Sequence, residues 1–316
     1  MNKFSIPESI RTPSPLQRLP EKWMADRNIS VWIKRDDLIH PLLQGNKWRK
    51  MKFNLQQAIE SQKDTLLTFG GAYSNHIAAT AAAGQLFGLK TIGIIRGEPT
   101  ATPSLTLQQA AANGMQLHFM ERSHYRLKDE PGRIEELHYR FGDFYYLPEG
   151  GTNALALPGC EELVGEIDVP FDVMCCAAGT GGTASGLRNA LHANQRLLVF
   201  PALKGEGSLP QLIANATPHA VANIEFHREY HFGGYAKITD ELFQFIQYIF
   251  VHHRILLDPV YTSKMLYGVY DLILQNYFEP GTRIIAVHSG GLQGWCGFQQ
   301  EWEMLKNGPA KRNIQR

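Results

Sequence analysis

Asp172-Val173-Met174-Cys175-Cys176-Ala177-Ala178-Gly179-Thr180-Gly181-Gly182-Thr183 joins an apolar run of strand length to a glycine-rich turn. The run predicts a buried strand over 172–177, and the pattern beyond it predicts a helix over 183–193. In such a unit the glycines let backbone N–H groups converge at the helix N-terminus, where the helix dipole is positive. Two threonine hydroxyls add donors, so Gly179, Thr180, Gly181, Gly182 and Thr183 suit a phosphate dianion. The turn lacks the lysine and serine or threonine that end a nucleoside-triphosphate loop, and its glycine spacing differs from a dinucleotide fingerprint. A plain strand-to-helix turn would account for the same glycines.

The same alternation extends in both directions. Upstream, strands are predicted over 29–35, 65–68, 90–95, 115–119 and 144–147, with helices over 47–61, 75–87, 104–113 and 133–141. Downstream, strands are predicted over 196–201 and 283–288, with helices over 239–252 and 262–275. Strands alternating with helices predict an α/β protein with mostly parallel sheets. The turn Pro148-Glu149-Gly150-Gly151 separates a first sheet-forming block from the rest, and no long linker or repeat intervenes. Two closely packed units sharing a cleft are therefore expected, with the chemistry in the cleft.

Composition narrows the partners. The 316 residues, 44% of them hydrophobic, are enough for a substantial core. Basic and acidic residues number 31 and 30, so the chain lacks the charge footprint of a nucleic-acid or membrane-surface binder, and a small-molecule partner is expected. Cys160, Cys175, Cys176 and Cys296 show neither zinc spacing nor a disulfide framework, and no metal site is expected. The first residues lack the apolar run of a secretory signal, and no stretch reaches the ~20 apolar residues of a membrane span. These features point to a reducing compartment, the cytoplasm.

Gly45-Asn46-Lys47-Trp48-Arg49-Lys50 places a lysine at a loop-to-helix junction, where its amine can point into a cleft and form an imine. Any single lysine there is more simply a solvated first-turn side chain. Arg49 and Lys50 are expected to be solvated in that way, or to make phosphate or structural contacts. Phe69-Gly70-Gly71-Ala72-Tyr73-Ser74-Asn75-His76 forms a second strand-to-helix loop. Ser74 or Asn75 would cap the helix, and the same helix N-terminus could hold a substrate carboxylate. Tyr73 and His76 flank that pair.

These segments occur in a recognisable order together with Ile33-Lys34-Arg35-Asp36-Asp37-Leu38, Pro148-Glu149-Gly150-Gly151-Thr152-Asn153, Gly233-Gly234-Tyr235, Leu257-Asp258-Pro259-Val260-Tyr261-Thr262 and His288-Ser289-Gly290-Gly291. The chain resembles the 1-aminocyclopropane-1-carboxylate deaminase and D-cysteine desulfhydrase family of fold-type II pyridoxal-phosphate enzymes, over about residues 12–295. The resemblance implies a tryptophan-synthase-β-like fold with two open, twisted, mostly parallel sheets flanked by helices. It implies a large cofactor-binding domain of residues 1–49 and 154–316, a small domain of residues 50–153, and a homodimer. It also implies that Lys47 carries pyridoxal 5'-phosphate as a Schiff base and that residues 179–183 cradle the phosphate. Asn75 would meet the cofactor's phenolic oxygen, Ser74 the substrate, Tyr261 the ring and substrate, and Ser289 the cofactor side of the last motif. Tyr73 and His76 would border the substrate.

Two positions depart from the family pattern. The deaminases carry an aromatic residue two positions before the histidine of the last motif, where Ala286 stands here, and characterised members carry glutamine where Tyr73 stands. The resemblance then implies β-elimination from a small amino acid, D-cysteine above all, giving pyruvate, ammonia and sulfide. Deamination of the cyclopropane amino acid to α-ketobutyrate is the alternative within the family, and a non-catalytic pyridoxal-phosphate-binding regulator is the alternative of another class.

Overall fold

The computed structural model describes residues 4–205, 207–216 and 223–307, whose ten strands form two separate sheets. In chain order the strands are β1 (Leu16–Leu19), β2 (Ser30–Lys34), β3 (Thr65–Gly70), β4 (Lys90–Arg96), β5 (Met115–Met120), β6 (Tyr145–Leu147), β7 (Val173–Ala178), β8 (Arg196–Pro201), β9 (Ile224–Phe226) and β10 (Arg283–Val287). The smaller sheet has the order β5-β4-β3-β6 and is wholly parallel. The larger has the order β1-β2-β10-β7-β8-β9 and is parallel except for β1, which runs antiparallel to β2. This is the α/β architecture expected from the alternation.

The two-residue period of each strand decides its packing. In the smaller sheet Leu66 faces the helix Gly45–Glu60, joining Trp48, Met51, Leu55 and Ala58. Leu67 and Phe69 face the other way, against Tyr125, Leu137 and Phe144. In the larger sheet Cys175, Leu198, Ile284 and Ala286 pack under the helices Asp240–His253 and Thr262–Leu274. Met174, Cys176, Val199 and Ile285 pack under the helices Gly182–Ala190 and Leu209–Ala216. The neighbouring Cys175 and Cys176 therefore point to opposite faces, and all four cysteines are unpaired.

Some elements differ from expectation. The helix after the glycine turn ends at Ala190, short of 193, because Leu191 is already extended. β1 and β9 were not expected; both are short edge strands, one crowded by prolines and arginine, the other three residues long. The helix Ala156–Gly165 was also unexpected, since Pro158 and Gly159 look like breakers. Pro158 falls in the first turn, where its missing N–H costs nothing. No helix among the described residues is long and apolar enough to cross a membrane.

Candidate active site

The C-terminal ends of parallel strands leave their following loops facing one crevice, the usual place for a ligand in open α/β sheets. Here the loops of both sheets converge on a cavity of about 360 Å³. Its wall includes every residue selected from the sequence: Lys47; Tyr73, Ser74, Asn75 and His76; Gly179, Thr180, Gly181, Gly182 and Thr183; Tyr261; and Ser289. Segments distant in sequence thus share one site.

Lys47 lies in the first turn of the helix Gly45–Glu60, partly buried, and lines the cavity. Asn46 N–H donates to the Ser289 carbonyl at 3.0 Å, and the Asn46 amide reaches the Thr183 hydroxyl at 3.3 Å. These contacts pin the helix start between the last motif and the glycine turn. Among the described residues no hydrogen bond or ion pair engages the Lys47 amine. Burial first, and Lys50 second, push it well below the usual lysine range. An unengaged amine whose charged form is disfavoured is a ready nucleophile and base.

The glycine turn ends on Gly181, whose φ of +82° excludes most side chains and which caps the helix Gly182–Ala190 without any side-chain acceptor. The first N–H groups of that helix are free for an anion. Lys50 adds a cation: its Nζ donates to the Gly150 carbonyl at 2.8 Å and the Thr152 hydroxyl at 3.0 Å, and lies 3.4 Å from Thr180 Oγ1. Burial lowers Lys50 to about 8, the shift expected of a cation awaiting a counter-ion. Arg49, by contrast, is buried away from the cavity in a bidentate pair with Asp36 and a second pair with Glu166. Neither side chain is solvated.

On the opposite wall Ser74 is the helix cap: its hydroxyl accepts from His76 N–H at 3.2 Å and Ile77 N–H at 3.3 Å. The Asn75 side-chain amide, without a hydrogen bond among the described residues, faces Gly291 across the cleft. His76 Nε2 lies 2.8 Å from the Thr68 hydroxyl, and burial with Lys47 and Lys50 nearby holds the ring well below the usual histidine range, hence neutral. His76 is therefore anchored to the small sheet even as it borders the cavity. Tyr73 is 57% exposed at the mouth.

Tyr261 stands over the turn, its ring 3.4 Å from where a Cβ on Gly179 would be. The buried Asp258 carboxylate accepts from the N–H groups of Val260, Tyr261 and Thr262 and so fixes this phenol. Tyr235 packs edge-on to Tyr261 and shares a side-chain hydrogen bond with it. Lys264 holds the loop that brings Tyr235 here, donating to the carbonyls of His231 at 2.9 Å and Gly234 at 2.7 Å. Sequence reasoning gave no role to Arg96, named Glu149 and Tyr235 only as members of motifs, and left Lys50 between a solvated side chain and a phosphate or structural contact. Arg96 ends β4, and its place at the C-terminal edge of a parallel strand was the signal that could have found it. Ala286 lies in the core beneath the helix Thr262–Leu274 and contributes nothing to the cavity wall.

Known proteins resemble this chain over most of its length. A family described as "Pyridoxal-phosphate dependent enzyme" matches residues 8–290. A Pyrococcus horikoshii protein named provisionally as a 1-aminocyclopropane-1-carboxylate deaminase is 33% identical, covering 92% of this chain and 93% of that protein. D-cysteine desulfhydrase of Klebsiella pneumoniae is 30% identical, covering 92% and 95%. The crystal structure of a 1-aminocyclopropane-1-carboxylate deaminase homologue superimposes with a TM-score of 0.79 at 31% identity, covering 94% of this chain and 95% of that one.

Proposed function

The chain belongs to the pyridoxal-phosphate-dependent enzymes, and from that premise we propose that it eliminates a β-substituent from a small amino acid, with D-cysteine giving pyruvate, ammonia and sulfide. The observation that carries this reading is the unengaged, charge-disfavoured Lys47 amine, placed in one cavity with an uncapped helix N-terminus and a phenol. The residues present fit the cofactor. Lys47 would carry it covalently, residues 179–183 with Lys50 would take its phosphate, Asn75 would meet its phenolic oxygen, and Ser289 would border the ring. When bound, pyridoxal phosphate supplies an electron sink for the charge left at Cα.

The protein's own groups supply the rest. The Ser74 hydroxyl, which can still donate its proton, and the Asn75 N–H at the helix start orient the substrate carboxylate. Lys47, its charged form disfavoured by burial and by Lys50, takes the proton from Cα once the substrate's amine has displaced it. The Tyr261 phenol donates a proton to the sulfur as the Cβ–S bond breaks, and water then releases pyruvate and ammonia. Opening of the cyclopropane amino acid is a second reading, favoured by the name of the Pyrococcus relative. It would have to rely on the phenols of Tyr261, Tyr235 and Tyr73 in the cavity wall, since Ala286 brings no acid to the cavity. A purely regulatory role is disfavoured by an amine so placed. The unpaired cysteines fit a reducing compartment, and we place the enzyme in the cytoplasm as a homodimer.

Pyruvate release from D-cysteine, measured beside α-ketobutyrate release from the cyclopropane amino acid, separates the two readings. Lys47→Ala is expected to lower either rate by about three orders of magnitude and to remove the visible absorbance of the purified protein. A Lys47→Ala protein that stays yellow after dialysis and turns over normally would refute the assignment.

A further inference from the structure

Arg96 is the last residue of β4 and lines the cavity. Its Nη2 lies 3.4 Å from where a Cβ on Gly71 would stand, so the guanidinium shares the wall that leads to Ser74 and Asn75. Its guanidinium carbon sits 5.8 Å from the centre of the Tyr125 ring. Among the described residues no ion pair or hydrogen bond engages it. Glu149, the acid in the cavity wall, pairs instead with Lys128 at 3.4 Å.

The position of this charge along the cavity matters. Arg96 is exposed, whereas Lys47 is partly buried at the start of its helix. The guanidinium therefore stands towards the outer end of the cavity, away from the lysine that meets the reacting carbon. The phosphate end already has residues 179–183 and Lys50. A guanidinium that forms no ion pair among the described residues, backed by an aromatic face, is a ready partner for a carboxylate, sulfonate or phosphate, which it can engage through two parallel N–H groups.

We propose that Arg96 is a specificity-determining residue that receives an anionic group at the far end of the amino-acid side chain. The enzyme then prefers substrates whose Cβ substituent ends in a carboxylate, sulfonate or phosphate. This rests on reading the cavity as an amino-acid site; D-cysteine would be turned over without using Arg96.

The test titrates the cofactor-bound enzyme with aspartate, asparagine, glutamate and glutamine, both enantiomers of each, and follows the visible absorbance. In the wild type each acid of the preferred enantiomer is expected to bind at least tenfold more tightly than its amide. Arg96→Gln should bring the acid down to the amide while the amide's affinity moves far less, and Arg96→Lys should keep part of the preference. Equal weakening of acid and amide would assign Arg96 to the α-carboxylate and overturn the proposal. So would the lack of an acid preference in the wild type, or the lack of any spectral response. Failure of D-cysteine to yield pyruvate, with the acid preference intact, would refute the proposed elimination and leave the role of Arg96 standing.

Discussion

Arg49 stands two residues beyond Lys47 and does a different job. With Lys34, Asp36 and Glu166 it forms a buried group of two cations and two carboxylates, tied to the chain by Ser14. Burial alone would raise the Glu166 carboxyl, but hydrogen bonds and charge from Arg49 and Lys34 hold it below its ordinary value. The group joins β2 to the start of the lysine helix, which fixes where Lys47 emerges. Removing one member strands its partners in a low dielectric, so Arg49→Met is expected to cost about 3–5 kcal/mol in denaturant unfolding. A loss under ~1 kcal/mol would contradict the burial argument. Lys50 yields a pH prediction. Its proton is held with a pKa of about 8 in the folded protein, against ~10.4 in the unfolded chain. Between those values the unfolded chain binds more protons, so the stability of the cofactor-free protein rises with pH across that window, by up to about 3 kcal/mol from this group. Thermal midpoints taken from pH 8 to 10 should rise more steeply in the wild type than in Lys50→Met; parallel slopes would count against it. The sequence marked Lys47 only through its companions, and it left Arg49 and Lys50 between a solvated face and phosphate or structural contacts. Nothing in one residue's identity says which side of a helix will be buried.

At the scale of elements, three helices meet at points where a side chain would not fit. A Cβ on Gly159 would fall 1.9 Å from the Arg49 carbonyl oxygen, so the helices Ala156–Gly165 and Gly45–Glu60 touch backbone to backbone. The helix Gly182–Ala190 also approaches the helix Ala156–Gly165 closely, with Gly186 against Cys160 and the Leu157 carbonyl. Even the smallest side chain must push these helices apart, so Gly159→Ala is expected to cost about 3 kcal/mol and to loosen cofactor retention, because the displaced helix carries Lys47. Unfolding midpoints and the absorbance remaining after gel filtration check both parts; an unchanged midpoint would mean that the helices do not approach so closely. The strand-turn-helix units with strong alternation were legible in advance. The helix containing Pro158 was not, since a proline in the first turn has the same composition as a proline that stops a helix. The edge strands β1 and β9 were not legible either, because three or four residues with one partner carry too little pattern.

At the scale of the molecule, the cavity exists because two parallel sheets present the C-terminal ends of their strands to one another. Hydrophobic alternation, turn chemistry and glycine placement are local, so the order of strands and helices, the α/β class and the glycine turn could be read from the chain alone. The ordered motifs extended that reading to the family and to a covalent cofactor lysine. Lys47 and the turn at Gly179 are separated by about 130 residues, and their meeting depends on how β2, β7 and β10 come to lie side by side in one sheet. The burial of Arg49 and the placing of Lys50 beside Thr180 depend on the same packing. So does the exposure of Arg96 to the cavity while Ala286 is turned into the core. A charge acquires its shifted proton affinity and its role from neighbours brought close through space. Those neighbours are decided by packing over distances that no local pattern records.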